Sequence, residues 1–437
     1  MKAVIMAGGK GTRLHELTND EIPKPMAMMA GKPILEWQVE CLNRNSVTEI
    51  CIVIGHLGER IKEHFGDGSN FCVSISYFSE DKPMGTAGAL AHIKDFITEP
   101  HFLLVFGDVI FDIDVQRMES FHLEKNALAT LFVHPNSHPF DSDLVVLDAN
   151  GCVTGFDSKA NTRDYWYDNI VNAGFYILSR EICDTIAPVG KTDLEKDVLF
   201  AAYRQNRVYG YISSEYIKDV GTVGRIRDTE SDIIGGVVAA KNLSLKQRCI
   251  FLDRDGTINE DRGLIYKLDD FVLEENAAEA IRLINRSRYL AVVVTNQPVV
   301  ARGLCGIDGV DEINRKMSTL LGEGGAYLDH VEFCPHHPDK GYPEENPAYK
   351  VPCDCRKPGI GMISKAAHYM NVDLSASWMI GDTTRDIQTA KNAGLRCVLV
   401  RTGEGGKDGM YDVLPDFEAE NLLEAVRIVL ENERDGT

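Results

Sequence analysis

Basic residues are outnumbered here: 46 Lys and Arg stand against 66 Asp and Glu, a formal net charge of −20. A surface of that sign does not hold nucleic acid or an anionic membrane by general attraction. It leaves phosphorylated small molecules open, because a phosphate site needs only a local loop, a few cations and a metal. Long apolar runs are missing as well. The longest late one, around Ile233 to Ala240, is far short of the ~20 residues that span a bilayer. No apolar segment precedes the first glycines of MKAVIMAGGKGTRL, so the start does not read as a secretory signal. Repeats and low-complexity tracts are absent. The expectation is a cytoplasmic protein whose partners are small molecules rather than nucleic acid or membrane. Nothing in the composition bears on oligomeric state.

What is there suits two or three globular domains: 437 residues, 44% hydrophobic and 26% charged. Eleven cysteines would permit disulfides, but a large chain of this kind more often keeps thiols free or on a metal. Cys41, Cys51, Cys72 and Cys152 stand alone and read as small core residues. Short β-branched runs (Ala3–Met6, Ile50–Ile54, Phe102–Phe106, Ile250–Leu252, Ala291–Val294) alternate with helical patterns, and each ends in a Gly- or Asp-rich turn. That is the pattern of βαβ units, whose ligands sit at the carboxyl ends of the strands. The pattern restarts at Arg248. The expected organisation is α/β with a Rossmann-like domain and mixed sheet over 1–230, a linker over 231–247 and a second Rossmann-like domain over 248–437. The final ENERDGT is expected to fray.

The first strand runs into Ala7-Gly8-Gly9-Lys10-Gly11-Thr12-Arg13-Leu14. Its glycines let backbone N–H groups approach a polyphosphate, and Arg13 adds a cationic fork. The loop matches neither GxxxxGK[ST] nor GxGxxG. With Pro23-Lys24-Pro25-Met26, Gly31-Lys32-Pro33, Gly85-Thr86-Ala87-Gly88-Ala89, Gly107-Asp108, Val171-Asn172-Ala173-Gly174, Leu194-Glu195-Lys196-Asp197 and Asp219-Val220-Gly221-Thr222, it resembles the nucleotide-sugar pyrophosphorylase family from about Lys2 to Arg227. The resemblance implies that a sugar 1-phosphate oxygen attacks the α-phosphorus of a nucleoside triphosphate and pyrophosphate leaves. It assigns Gly8, Gly9, Gly11 and Thr12 to the triphosphate and Gly85 and Gly88 to the base-binding loop. Arg13 and Lys24 go to the reacting and leaving phosphates, and Asp108 and Asp219 to Mg²⁺. Gly174, Glu195 and Lys159 fall on the sugar side. The family usually carries Glu-Lys-Pro where this chain has Asp157-Ser158-Lys159, with Lys159 left to supply the cation.

Asp253-Arg254-Asp255-Gly256-Thr257 follows the apolar strand CIFL. Carboxylates at i and i+2 on a strand end can divide labour: the first attacks phosphorus, the second serves as acid and then base. An Asp-rich turn or a Ca²⁺ loop would show the same local pattern. Downstream stand Thr295-Asn296, then Lys357, then Gly381-Asp382 with Asp386. In that order they resemble the haloacid dehalogenase superfamily of phosphatases. The resemblance implies an aspartyl-phosphate on Asp253, phosphoryl contacts from Thr295, Asn296 and Lys357, and Mg²⁺ on Asp253, Asp255 and Asp382.

Cys334-Pro-His336-His337-Pro and Cys353-Asp-Cys355 form two tight pairs in a Pro-rich loop. Three thiolates and one imidazole suit a closed tetrahedral Zn²⁺ with a structural role, with His337 the weaker ligand candidate. CPHHP, CDCRKP and TNQ…ARG are also similar to the zinc-containing histidinol-phosphate and heptose-bisphosphate phosphatases. That likeness implies substrate-phosphate contacts from Arg356 and Arg302, with Pro298-Val299 where the subfamily commonly has Ser-Gly. The N-terminal half looks closest to heptose 1-phosphate guanylyltransferases. Joined, the two resemblances imply heptose 1,7-bisphosphate dephosphorylation followed by transfer from GTP to give GDP-heptose. Two alternatives stand: a histidinol phosphatase fused to another sugar transferase, and a phosphatase with a non-catalytic nucleotide-sugar sensor.

Overall fold

The computed structural model describes residues 1–9, 21–187, 190–341 and 343–434. They form two compact units. The first holds Met1–His134, Asp143–Ser158 and Ile170–Asn242; the second holds Pro135–Ser142, Lys159–Asn169 and the chain from Leu243 onward. Where the sequence suggests a linker over 231–247, the helices Val223–Ile234 and Val237–Ala240 lie instead, and the chain to Asn242 packs with the first unit.

The first unit is built on a nine-stranded mixed sheet among the described residues. Lys2–Met6 is parallel to both its neighbours, Glu49–Ile54 and His101–Phe106, while Val171–Ser179 joins His101–Phe106 antiparallel. Ala3, Val4 and Ile5 are fully buried, the unbroken apolar run of a strand covered on both faces rather than an alternating one. Two apolar clusters cover the two faces: Ile5, Leu103 and Phe175 point into one, Val4, Leu104 and Tyr176 into the other. Each such fully buried side chain contributes about 1.5–3 kcal/mol. The register Met6↔Phe106 brings the loop after Met6 beside Gly107 and Asp108. A small antiparallel ladder sets Asp219 opposite Val109, and Val220 N–H donates to the Asp108 carbonyl at 2.9 Å. Two distant aspartates thereby share one rim.

The second unit carries a six-stranded sheet in the order His330–Cys334, Tyr289–Asn296, Arg248–Leu252, Trp378–Gly381, Arg396–Val400, Phe417–Ala419, with every pair parallel. Leu252 pairs with Val293 and with Ile380. Asp253, Thr295-Asn296 and Asp382 therefore leave the sheet at one edge, the carboxyl ends of adjacent strands. Cys72 is exposed, unlike the buried Cys41, Cys51 and Cys152, which corrects its reading as a core residue. Glu431–Arg434 continues the helix Leu422–Arg434, and the remaining Asp435, Gly436 and Thr437 of that tail lie outside the described residues. Among the described residues no helix is long and apolar enough to cross a membrane.

Candidate active sites

At the rim of the first sheet lies a cavity of about 640 Å³, lined by Gly8, Gly9, Lys24, Gly85, Thr86 and Asp108 among others. Lys24 Nζ makes an ion pair with the Asp108 carboxylate. Arg225 Nη1 donates to Asp219 Oδ2 at 2.5 Å, while Asp219 Oδ1 is buried with no hydrogen-bond partner among the described residues. A buried acceptor without a donor is costly, and a divalent cation is one way to satisfy it. The 85–89 loop is fastened by two hydrogen bonds: Ala87 N–H donates to Thr192 O at 3.0 Å, and Leu194 N–H to Thr86 Oγ1 at 2.7 Å. Gly85 sits at φ +83°, and a Cβ there would collide with the Thr192 carbonyl, so the close approach itself requires glycine.

Glu195 accepts from Asn172 Nδ2 at 2.6 Å and Tyr176 Oη at 3.0 Å. Burial pushes its carboxyl up in pKa, against the pull of the Tyr176 hydrogen bond. Gly174, at φ +73°, lies against Phe106 in the same strand region. Lys159 stands apart: it belongs to the second unit and lies 3.8 Å from Asp141. Lys159 is not among the residues that line the cavity, and the chain leaves the first unit after Ser158. Gly11, Thr12 and Arg13 lie outside the described residues. Sequence reasoning missed Glu80, Lys191 and Asp193, which line the cavity from segments without a periodic pattern. Burial raises the Glu80 carboxyl, and its bond from Met84 N–H at 3.1 Å partly offsets that.

The second site is denser in charge. Lys357 Nζ lies 2.8 Å from Asp253 Oδ1 and 2.6 Å from Asp386 Oδ1. Asp253, Asp382 and Asp386 offer carboxylate oxygens within 4.8 Å of one another. All three and the lysine are buried. Burial, reinforced by Asp386, raises Asp253 to about 7. Burial, then Asp386 and Asp253, raises Asp382 to about 9. Burial acts upward on Asp386 too, but Lys357 and Thr383 outweigh it and hold that carboxyl low. Three buried carboxylates share one buried ammonium, and Asp382 Oδ1 has no partner among the described residues. Oxygen donors with surplus negative charge fit a hard cation such as Mg²⁺.

The Asp255 carboxylate lies outside that group of converging side-chain oxygens. Arg254, Asn259 and Gln297 hold it. Asp386 joins Asp253 and Asp382 because Thr383 and Asp386 form a capping box at the head of the helix Thr384–Ala393, aiming the carboxylate back at the strand ends. Asn296 clamps Lys357 on both sides, accepting from its N–H at 2.9 Å and donating to its carbonyl at 3.2 Å. Thr295 is buried and accepts from Gln297 Nε2 at 3.0 Å. Arg302 and Arg385 both stand close enough to Arg356 to lower its pKa, after the larger effect of burial. Arg385, which the sequence reading left out, joins the two expected cations.

Cys334, His336, Cys353 and Cys355 converge, with donor atoms within 4.8 Å of one another. Cys334 and Cys353 sulfurs are 3.6 Å apart, and His336 Nδ1 is 3.3 Å from Cys355 Sγ. A tetrahedral metal with Zn–S of about 2.3 Å and Zn–N of about 2.0–2.1 Å implies ligand–ligand edges of roughly 3.5–3.8 Å. His337 is outside the group; its Nδ1 accepts from Asp339 N–H at 3.2 Å.

Residues 2–234 match the family model described as nucleotidyl transferase, and residues 354–425 a HAD-hydrolase-like model. The chain belongs to the nucleotidyl transferase family and is fused to a HAD-like phosphatase. It is therefore an enzyme with two activities. A D-glycero-beta-D-manno-heptose-1,7-bisphosphate 7-phosphatase from Haemophilus ducreyi is 39% identical over 160 residues, 36% of this chain and 85% of the relative. Among solved structures, HddC from Yersinia pseudotuberculosis complexed with GMP-PN is 23% identical at TM-score 0.46, covering 53% of this chain and 99% of that one. A D,D-heptose 1.7-bisphosphate phosphatase from B. bronchiseptica complexed with magnesium and phosphate is 32% identical at TM-score 0.37, covering 43% and 99%.

Proposed function

We propose that the phosphatase removes the 7-phosphate of D-glycero-D-manno-heptose 1,7-bisphosphate, and that the transferase moves a guanylyl group from GTP onto the resulting heptose 1-phosphate. The products are phosphate, pyrophosphate and GDP-heptose. The observation that carries this reading is the pairing itself. The named relative removes one phosphate from a sugar bisphosphate, and a sugar-1-phosphate nucleotidyl transferase consumes such a product.

In the phosphatase, Asp253 attacks phosphorus and the bond to the sugar oxygen breaks, with Lys357 balancing charge on the phosphoryl oxygens. Asp255 gives its proton to the leaving oxygen. It then takes one from the water that cleaves the aspartyl-phosphate, which returns Asp253 as a carboxylate and Asp255 as an acid. Thr295 and Asn296 orient the phosphoryl group, while Arg302 and Arg356 attract the distal phosphate. Asp253, Asp382 and Asp386 would hold Mg²⁺, which supplies charge neutralisation at the phosphoryl group. In the transferase, Gly8 and Gly9 present backbone to the triphosphate, Lys24 faces the reacting phosphates and Glu195 with Gly174 borders the sugar. Asp108 and Asp219 would hold a second Mg²⁺.

Guanine is the base we assign to this cavity. Its Watson–Crick edge presents adjacent N1–H and N2–H donors, which one carboxylate accepts together. Glu80 supplies a half-buried carboxylate on the cavity wall. Uracil offers that carboxylate a single donor, N3–H, flanked by two carbonyls that its charge would repel. The four soft ligands Cys334, His336, Cys353 and Cys355 hold Zn²⁺ structurally, since four protein ligands leave no open position.

The test is to give the protein a panel of nucleoside triphosphates and both heptose 1-phosphate anomers and to follow pyrophosphate. GTP should turn over fastest. No pyrophosphate from any pair would overturn the transferase half of this reading, and faster turnover with another base would overturn the guanine assignment.

A further inference from the structure

Arg254 is the largest fully buried side chain among the described residues. It is an arginine, so its charge must be met inside the protein. Nε and Nη2 both reach Asp255 Oδ1, at 3.1 and 3.0 Å, and Nη2 also reaches Oδ2 at 3.1 Å. Nη1 donates to Asn314 Oδ1 at 3.2 Å, from the middle of the helix Ile307–Glu323. The guanidinium carbon stands 5.9 Å from the Phe271 ring centroid. From the other side, Asn259 Nδ2 donates to Asp255 Oδ1 at 3.1 Å and Gln297 Nε2 to Oδ2 at 2.8 Å. Asp255 nonetheless keeps 23% of its side-chain surface open.

A buried ion pair is a poor stabiliser, because desolvating two charges costs about what their attraction returns. Five polar contacts converge on one carboxylate that the reaction uses, which assigns them another role. We infer that Arg254, with Gln297 and Asn259, is a positioning residue for Asp255, fixing the acid–base carboxylate so that only its open face meets the leaving oxygen. Asn314 in turn fixes the guanidinium. Within the run Asp253-Arg254-Asp255 the middle residue does not touch substrate; it acts through its neighbour. This inference rests on the phosphatase reading above.

The consequence is selective. A sugar alkoxide is a poor leaving group and needs its proton delivered in the transition state, whereas 4-nitrophenolate departs without one. A correctly placed general acid is worth about 10²–10⁴-fold. In the full-length protein, single-turnover release of the leaving group should be measured for the heptose bisphosphate and for 4-nitrophenyl phosphate. Arg254→Lys and Gln297→Leu should slow the sugar substrate by at least about tenfold, while the aryl phosphate changes less than about threefold. Arg254→Lys should be the milder change and Arg254→Gln the more severe. Should Arg254 variants fail to fold, Gln297→Leu and Asn314→Ala carry the same test without removing the buried charge. Equal losses on both substrates, or no loss on either, would overturn the positioning role. Wild-type protein inert to both substrates would instead overturn the phosphatase reading itself.

Discussion

Asp382 and its neighbours show how little room the phosphatase chemistry has. Gly403 sits at φ +55°, and a Cβ there would collide with the Asp382 carboxylate and approach Gly256 Cα to 2.7 Å. Glu404 N–H holds Asp382 Oδ2 at 2.8 Å from the same turn. Gly403→Ala should therefore cost about 1–3 kcal/mol of stability through backbone strain and lower phosphate release. Thermal melting and steady-state turnover check it, and unchanged values of both would mean that the turn yields. On the transferase side, Glu80→Gln exchanges a double acceptor for a group that both donates and accepts. GTP efficiency should fall by the 1–3 kcal/mol of a bidentate base contact, about 5–150-fold, while UTP rises relative to it. Inosine triphosphate, lacking the N2 amine, should trail GTP in the wild type only; an unaltered base ranking in Glu80→Gln would exclude this contact. The residues legible in the sequence were those inside short motifs: Asp253, Lys357, Asp108. Glu80, Arg254 and Gln297 were not, because what they do is set by a partner far along the chain or by burial, and neither leaves a local pattern.

At the scale of elements, the strands were the most readable part. Their runs are β-branched and apolar because both faces are covered, and the turns that end them carry the chemistry. What did not read was where a turn leads. The loop after Asp157 matches a sugar-side segment in order, yet it carries Lys159 into the other unit. The loop from Cys334 to Cys355 is the opposite case. It has little regular structure, but its ligand spacing alone located the cluster that the fold assembles. Such a loop has few apolar contacts to hold it, so a bound metal should supply much of its order. Metal analysis should give about one zinc per chain. Cys353→Ser with Cys355→Ser should abolish that zinc and weaken phosphatase activity, since Arg356 and Lys357 follow directly and Arg356 Nη1 donates to His336 O at 3.3 Å. Zinc retained at the wild-type level in the double variant would remove the assignment.

For the whole molecule, the two chemistries are separate while the chain is not simply cut in two. Pro135–Ser142 and Lys159–Asn169 belong to the second unit. There Tyr167 N–H donates to Thr319 Oγ1 at 3.1 Å, Arg315 pairs with Asp168 at 3.2 Å, and Pro139 fills the space beside Gly322. A fragment starting at Leu243 would leave that side of the helix Ile307–Glu323 bare. It should melt several degrees below the corresponding transition of the full chain, at about 2–4 °C per kcal/mol lost; an equal melting temperature would show these stretches to be dispensable. Point variants in the intact chain are therefore the proper test of the relay. Asp253→Asn removes the nucleophile with little change of shape, and Asp253 is not among the residues lining the transferase cavity. It should abolish phosphate release from heptose 1,7-bisphosphate yet leave GDP-heptose formation from heptose 1-phosphate intact. Asp108→Asn should do the reverse, because it weakens charge neutralisation at the triphosphate and leaves Asp253, Lys357, Asp382 and Asp386 untouched. Given the bisphosphate, GTP and Mg²⁺, the unaltered protein should release phosphate first and pyrophosphate after a lag, as the intermediate accumulates. Mixing the two variants at equal active-site concentrations should restore the sequence with the same lag, since the accumulating intermediate passes through solution in either case. Protein that dephosphorylates the bisphosphate but never nucleotidylates the product, with any triphosphate, would break the relay at its second step.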